Sequence, residues 1–147
     1  MAWRCSGRSN NEPIRNLARQ SILALDRVTD AMAKVNTVNR TPYLWPSNAY
    51  QDSPQFVFFF LPRTFHSLGD NTLPYVHPGA TVVIVGSGSG YLAVVLHHLV
   101  SPMHSSDNPN LPQGKVIGID HIPDVAERSK YNLENDGLGA GLTVRSN

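Results

Sequence analysis

The stretch Thr81-Val82-Val83-Ile84-Val85-Gly86-Ser87-Gly88-Ser89-Gly90-Tyr91-Leu92 decides the fold. Residues 81–85 are an uncharged, β-branched run, as in a parallel strand buried on both faces. Three glycines at alternate positions then predict a tight turn, because glycine takes positive φ without a Cβ penalty. Residues 91–100 read as a helix with Leu92, Val95, Leu96 and Leu99 on one face.

Reading toward the C-terminus, residues 101–113 form a polar loop containing proline. Lys115-Val116-Ile117-Gly118-Ile119 is a second strand that ends at Asp120. Residues 123–136 make a second helix, with Pro123 suited to its first turn. Leu142-Thr143-Val144-Arg145 starts a third strand. Strand, helix, strand, helix, strand is the order of a doubly wound α/β sheet.

Reading toward the N-terminus, residues 13–35 carry two helices. Pro13 fits the first turn of one, and Ile14, Leu17 and Ala18 form its apolar stripe. Asp26 is the expected N-cap of the other, with Val28, Ala31, Met32 and Val35 at helical spacing. Residues 36–55 read as a loop. The run Phe56-Val57-Phe58-Phe59-Phe60-Leu61 is continuous, apolar and β-prone, an aggregation hazard if exposed.

At 147 residues the chain fits one domain, and 41% hydrophobic with 16% charged residues mark it as globular. The net charge of +1 and the scattered arginines of the N-terminal third give no nucleic-acid stripe. The apolar run 56–61 is too short to span a bilayer. Residues 1–10 hold no secretory apolar core, and Glu12 and Asp26 interrupt the arginine series that a mitochondrial presequence would need. Cys5 is the single cysteine, so no internal disulfide forms and a reducing compartment, the cytoplasm, is expected. His97 and His98 are adjacent in a helix and do not share a face, so no metal site is expected there.

The chemistry points to the glycine turn. It offers close backbone approach, and the helix behind it offers unpaired N–H groups. Alone, it also reads as a plain strand-to-helix turn. Asp120 sharpens the signal, standing where the acidic residue of a nucleotide-binding α/β unit accepts hydrogen bonds from ribose hydroxyls. Its distance from Gly90 exceeds the usual roughly 20 residues, and the polar insert 101–113 accounts for the excess. Tyr91 breaks the dinucleotide pattern G-x-G-x-x-G, and no Gly-Lys-Ser/Thr follows, so a P-loop fails too. A phosphate-free ligand such as S-adenosylmethionine suits what remains.

Four blocks carry a family resemblance. Met1-Ala2-Trp3 with Asn16-Leu17, Val28, Ala31-Met32 and Val35 is the first, and Tyr50-Gln51-Asp52-Ser53-Pro54-Gln55 is the second. Val85-Gly86-Ser87-Gly88-Ser89-Gly90-Tyr91-Leu92 is the third, and Gly114-Lys115-Val116-Ile117-Gly118-Ile119-Asp120-His121-Ile122 is the fourth. Together they resemble the N-terminal part of protein-L-isoaspartate O-methyltransferases, over residues 1–55 and 75 to about 136. The resemblance implies a Rossmann-like, S-adenosylmethionine-dependent methyltransferase fold. Residues 1–147 would be a single partial domain with an incomplete parallel sheet. Residues 1–55 would supply N-terminal helices and a loop, 56–78 a divergent segment, and 79–147 the cofactor-binding half. By the resemblance, Gly86, Ser87, Gly88, Ser89 and Gly90 line the methionine and ribose side of the cofactor, Asp120 holds the ribose, and His121 lies beside the adenosine.

The activity implied is methyl transfer from S-adenosylmethionine to the carboxylate of isoaspartyl residues in damaged proteins. The substrate carboxylate is already ionised near neutral pH, so catalysis rests on positioning rather than on a strong base. The methyl ester then collapses to a succinimide that reopens partly as normal aspartate. The alternative is an inactive fragment or a module that only binds the cofactor.

Three departures from the family pattern bear on that choice. Residues 56–71 replace a segment that supplies active-site contacts in the family, and Thr64, His66 and Ser67 have the wrong neighbours to inherit a role, so no catalytic residue is assigned. A retained intron or misplaced exon boundary would explain the replacement, which transcript sequencing tests. Ile84 stands where the family has an acidic residue, so weaker cofactor affinity is expected. The sequence stops before the next family strand, which predicts an open apolar edge on strand 81–85 and poor solubility.

Overall fold

The computed structural model describes residues 8–9, 11–19, 26–35, 72–101, 112–138 and 142–146. Cys5, the motif at 50–55, the apolar run 56–61, Thr64, His66, Ser67 and the body of the insert at 102–111 lie outside the described residues.

Helices α1 (Asn11–Arg19) and α2 (Asp26–Lys34) form where the apolar spacing predicts them. Pro13, Ile14 and Leu17 are buried on α1, and Val28, Ala31 and Met32 on α2, with Val35 just beyond. Glu12 accepts a hydrogen bond from the Arg8 backbone N–H at 2.6 Å, tying the entry to α1. Asp26 is the first helical residue of α2 rather than a cap preceding it. Its charge therefore acts on the positive end of the helix dipole.

Strands β1 (Thr81–Val85), β2 (Lys115–Asp120) and β3 (Leu142–Ser146) alternate with helices α3 (Tyr91–Val100) and α4 (Pro123–Asn135). The sheet is parallel in the order β1-β2-β3, with Val85 opposite Ile119 and Gly118 opposite Val144. Each crossover runs in the same direction across the sheet. Right-handed connections then put both helices on one face.

That topology corrects the reading of strand 81–85 as buried on both faces. Val82 and Ile84 pack against the core beneath the helices, with Val116 beside them in register. Val83 and Val85 point the other way and are exposed. The core instead centres on α3, where Tyr91, Ala93, Val94, Val95, Leu96, Leu99 and Val100 are all buried. The single apolar face expected for this helix is too narrow an account. It is clasped between the sheet on one side and α2 on the other. Leu92 is only partly buried.

The neck of the insert is closed by backbone and side chain together. Gly79 and Gly114 both donate their N–H to the Val100 carbonyl, at 2.8 and 3.0 Å. The Ser101 hydroxyl lies 2.9 Å from both the N–H and the carbonyl oxygen of Gly114. A Cβ at Gly114 would fall 2.5 Å from the Ala80 oxygen and from Val100 Cβ, so only glycine fits there. Helix α4 ends in a Schellman pair, Gly137 N–H to Glu134 and Leu138 N–H to Leu133.

Candidate functional site

The carboxyl ends of β1 and β2 meet at one edge of the sheet, where open α/β folds bind ligands. From β1 the chain enters the glycine loop at 86–90. Gly86, Gly88 and Gly90 have φ of +83°, +56° and +88°. Such a loop has no repeating hydrogen bonds of its own, so its neighbours hold it. Gly86 and Ser87 donate their N–H groups to the Ile119 carbonyl at 2.8 and 3.1 Å. Gly90 donates to the Ser87 carbonyl at 3.0 Å.

The two outer glycines face different surroundings. A Cβ at Gly90 would lie 2.6 Å from the Ser129 hydroxyl on α4, so the absence of a side chain lets two helices approach. A Cβ at Gly86 would meet nothing within 4 Å. At Gly86 the backbone is therefore bare on its open side, where a ligand can lie against it.

Asp120 is 5% exposed. Its Oδ2 accepts the Gly88 N–H at 3.0 Å and its Oδ1 accepts the Ile122 N–H at 3.2 Å. The carboxylate thus joins the end of β2 to the glycine loop. An ionised carboxylate offers about four acceptor sites, so acceptor capacity remains. His121 is on the rim, its side chain 87% exposed and its Nδ1 3.7 Å from Asp120 Oδ1.

Of the residues singled out in the sequence, the structure brings Gly86, Gly88, Gly90, Asp120 and His121 to this crevice. Ser87 and Ser89 are also in the loop, but both are buried. Ser87 packs over Gly118, where a Cβ would come within 2.9 Å of the serine Cβ, so the loop offers backbone there rather than hydroxyl. Sequence reasoning missed Ser129 and Asn132 on α4. Asn132 Nδ2 donates to the Ser89 carbonyl at 2.9 Å, in a buried contact. The available signal was a polar residue on the buried stripe Ala126, Ser129, Leu133.

A second cluster lies away from the crevice, between α2 and α3. A cleft of about 270 Å³ is lined by Arg27, Asp30, Lys34, Pro78, His98 and Leu99, among others. Burial, followed by the charges of His97 and Lys34, pushes His98 down to about 4. Burial also lowers His97. Their rings lie 5.9 Å apart between centroids. Arg27 donates to the Val76 carbonyl, binding α2 to the segment that leads into β1. Among the described residues, no group of three His, Cys, Asp or Glu could hold a metal ion, and no helix is long and apolar enough to cross a membrane.

A family model described as protein-L-isoaspartate(D-aspartate) O-methyltransferase matches residues 8–146. This chain belongs to that family. It is 34% identical to a Caenorhabditis elegans protein-L-isoaspartate O-methyltransferase over 137 residues, covering 90% of this chain and 55% of the relative. It is 31% identical to the enzyme of that name from Hyperthermus butylicus, covering 89% and 54%. The chain thus spans about half the length of the curated relatives it matches. A Plasmodium falciparum protein of the family, crystallised with S-adenosyl-L-homocysteine, superposes with a TM-score of 0.74 at 24% identity. That likeness covers 96% of this chain and 64% of the other. The fold is therefore the α/β, Rossmann-like fold of these methyltransferases.

Proposed function

We propose that this chain acts as a protein-L-isoaspartate O-methyltransferase in protein repair, taking a methyl group from S-adenosylmethionine to the carboxylate of isoaspartyl residues in damaged proteins. The observation that carries this reading is the glycine loop at the sheet's carboxyl edge, open at Gly86 and tied to Asp120 through Gly88. Family membership over residues 8–146 gives that geometry its chemical sense.

The residues fit such a cofactor in four ways. Gly86 lets the ligand lie against the main chain without a side chain in the way. The start of α3, directly behind Gly90, turns its first N–H groups toward the same edge. Asp120 keeps acceptor capacity for ribose hydroxyls after serving Gly88 and Ile122. His121, exposed on the rim, would lie beside the adenosine. Gly88, Ser87, Ser89 and Gly90 contribute loop shape more than side-chain contact. Bound S-adenosylmethionine supplies an electrophilic methyl group carried on a sulfonium.

An isoaspartyl carboxylate is ionised near neutral pH, so no residue of the chain has to remove its proton. The protein's contribution is then orientation and exclusion of water around the reacting groups. In this reading β1 to β3 with α3 and α4 make the cofactor-binding half of one partial domain, to which α1 and α2 belong as its N-terminal helices, α2 packing against α3. The cytoplasm is the matching compartment, since the one thiol, Cys5, needs no oxidising environment.

Calorimetric titration of the chain with S-adenosylhomocysteine tests the reading. Saturable binding is expected, followed by methyl transfer to an isoaspartyl peptide when S-adenosylmethionine is supplied. Binding without transfer leaves the cofactor site and removes the enzyme. No binding by a folded sample sinks both.

A further inference from the structure

We propose that Asn132 is a positioning residue for the glycine loop and, through it, for the adenosyl cofactor, an inference that rests on the reading of the loop as the cofactor site. Asn132 is on α4, fully buried, 43 residues along the chain from the carbonyl it binds. Its neighbours on the buried stripe of α4 are Ala126, Ser129 and Leu133. The Nδ2 donor, buried in such surroundings, is satisfied by the Ser89 carbonyl, and desolvating it without that acceptor would be unfavourable.

What the bond fixes is specific. The loop is anchored from two sides. From β2, Ile119 takes the N–H groups of Gly86 and Ser87, and Asp120 takes that of Gly88. From α4, Asn132 holds the Ser89 carbonyl at 2.9 Å. The peptide from Ser89 to Gly90 is planar, so fixing its oxygen also fixes the direction of the Gly90 N–H at its other end. That N–H closes the turn onto the Ser87 carbonyl at 3.0 Å. Gly90 is also the residue from which α3 starts. Asn132 therefore sets the angle at which the loop passes into α3, and so the aim of the first helical N–H groups. Ser129 Oγ lies where a Gly90 side chain would stand, so α4 packs close against this end of the loop.

The experiment compares Asn132→Leu, close in size but without a donor, with Met32→Ala, a core variant on α2 remote from the loop. Each is titrated with S-adenosylhomocysteine, and amide exchange at residues 88–90 is followed in the ligand-free chain. Asn132→Leu is expected to weaken binding about tenfold or more and to speed loop exchange. Met32→Ala should lower thermal stability while its folded molecules keep near wild-type affinity and loop protection. The inference is overturned if Asn132→Leu binds like wild type with unchanged loop exchange, or if Met32→Ala loses affinity equally. If the wild-type chain itself fails to bind, the cofactor reading falls, and loop exchange in Asn132→Leu still decides whether Asn132 holds the loop. If Asn132→Leu does not fold, the wild-type Asn132 carboxamide protons decide. Slow exchange, with a resonance shift on adding S-adenosylhomocysteine, supports the role, and fast exchange removes it.

Discussion

The ends of β1 and β2 are neighbours in the sheet yet opposite in character. β1 ends in Val85, a valine that is 85% exposed, while β2 ends in Asp120, a carboxylate that is 5% exposed. Hydrophobicity alone would reverse them. The carboxylate is inside because two backbone N–H groups, of Gly88 and Ile122, meet it there. The valine is outside because both helices pack on the other face of the sheet. Burial at this edge follows hydrogen-bond demand and topology before it follows polarity.

The largest effect expected within this comparison is at the loop that joins the two ends. Gly90→Val combines a left-handed φ with overlap on Ser129, and should cost at least about 3 kcal/mol in denaturant unfolding. Gly86→Ala has a similar φ but open space, so about 1–2 kcal/mol is expected, with S-adenosylhomocysteine binding lost more than stability. Equal losses at the two glycines would show that the open side of Gly86 is not real. Next, Asp120→Ala leaves the buried Gly88 N–H and the part-buried Ile122 N–H without their acceptor and should cost about 1–3 kcal/mol in all, measured in the same way. A neutral result would mean that the carboxylate does not hold the loop.

A smaller effect belongs to the cleft between α2 and α3. His98 is held down to about 4 against an ordinary 6.5, so the unfolded chain takes up its proton first as pH falls. The contribution is fully present above pH 6.5 and is lost progressively toward pH 4. Thermal melting of the wild type should therefore fall more steeply over that window than melting of His98→Gln. Identical slopes would place the acid sensitivity elsewhere. The smallest change is at Val85, where Val85→Lys should stay within about 0.5 kcal/mol of wild type while reducing self-association in sedimentation.

Much of this was legible in the residues. The pattern of residues 81–100 gave strand, turn and helix within a residue of their observed bounds, because a β-branched run, three glycines and a helical stripe are each local signals. The helices at the N-terminus were readable for the same reason. Burial of β1 was not. Which face of a strand is covered depends on strand order and crossover handedness, properties no five-residue run contains. The role of Asp120 was half legible. Its place at a strand end follows from the pattern, but its bond to Gly88, 32 residues away, exists only in three dimensions. Asn132 and Ser129 were legible only as polar residues on a buried stripe, since nothing in α4 announces which loop will lie against it.

The closed neck at Ser101 and Gly114 has a practical side. Its bonds to Val100 and across Ser101 complete the joint before the intervening residues are counted. The register of β2 against β1 is thus indifferent to what is spliced between the two residues. A reporter, an affinity tag or a single cysteine for a fluorophore grafted there would ride on the domain at the end of the sheet opposite the glycine loop. That makes this junction a ready port for instrumenting the protein.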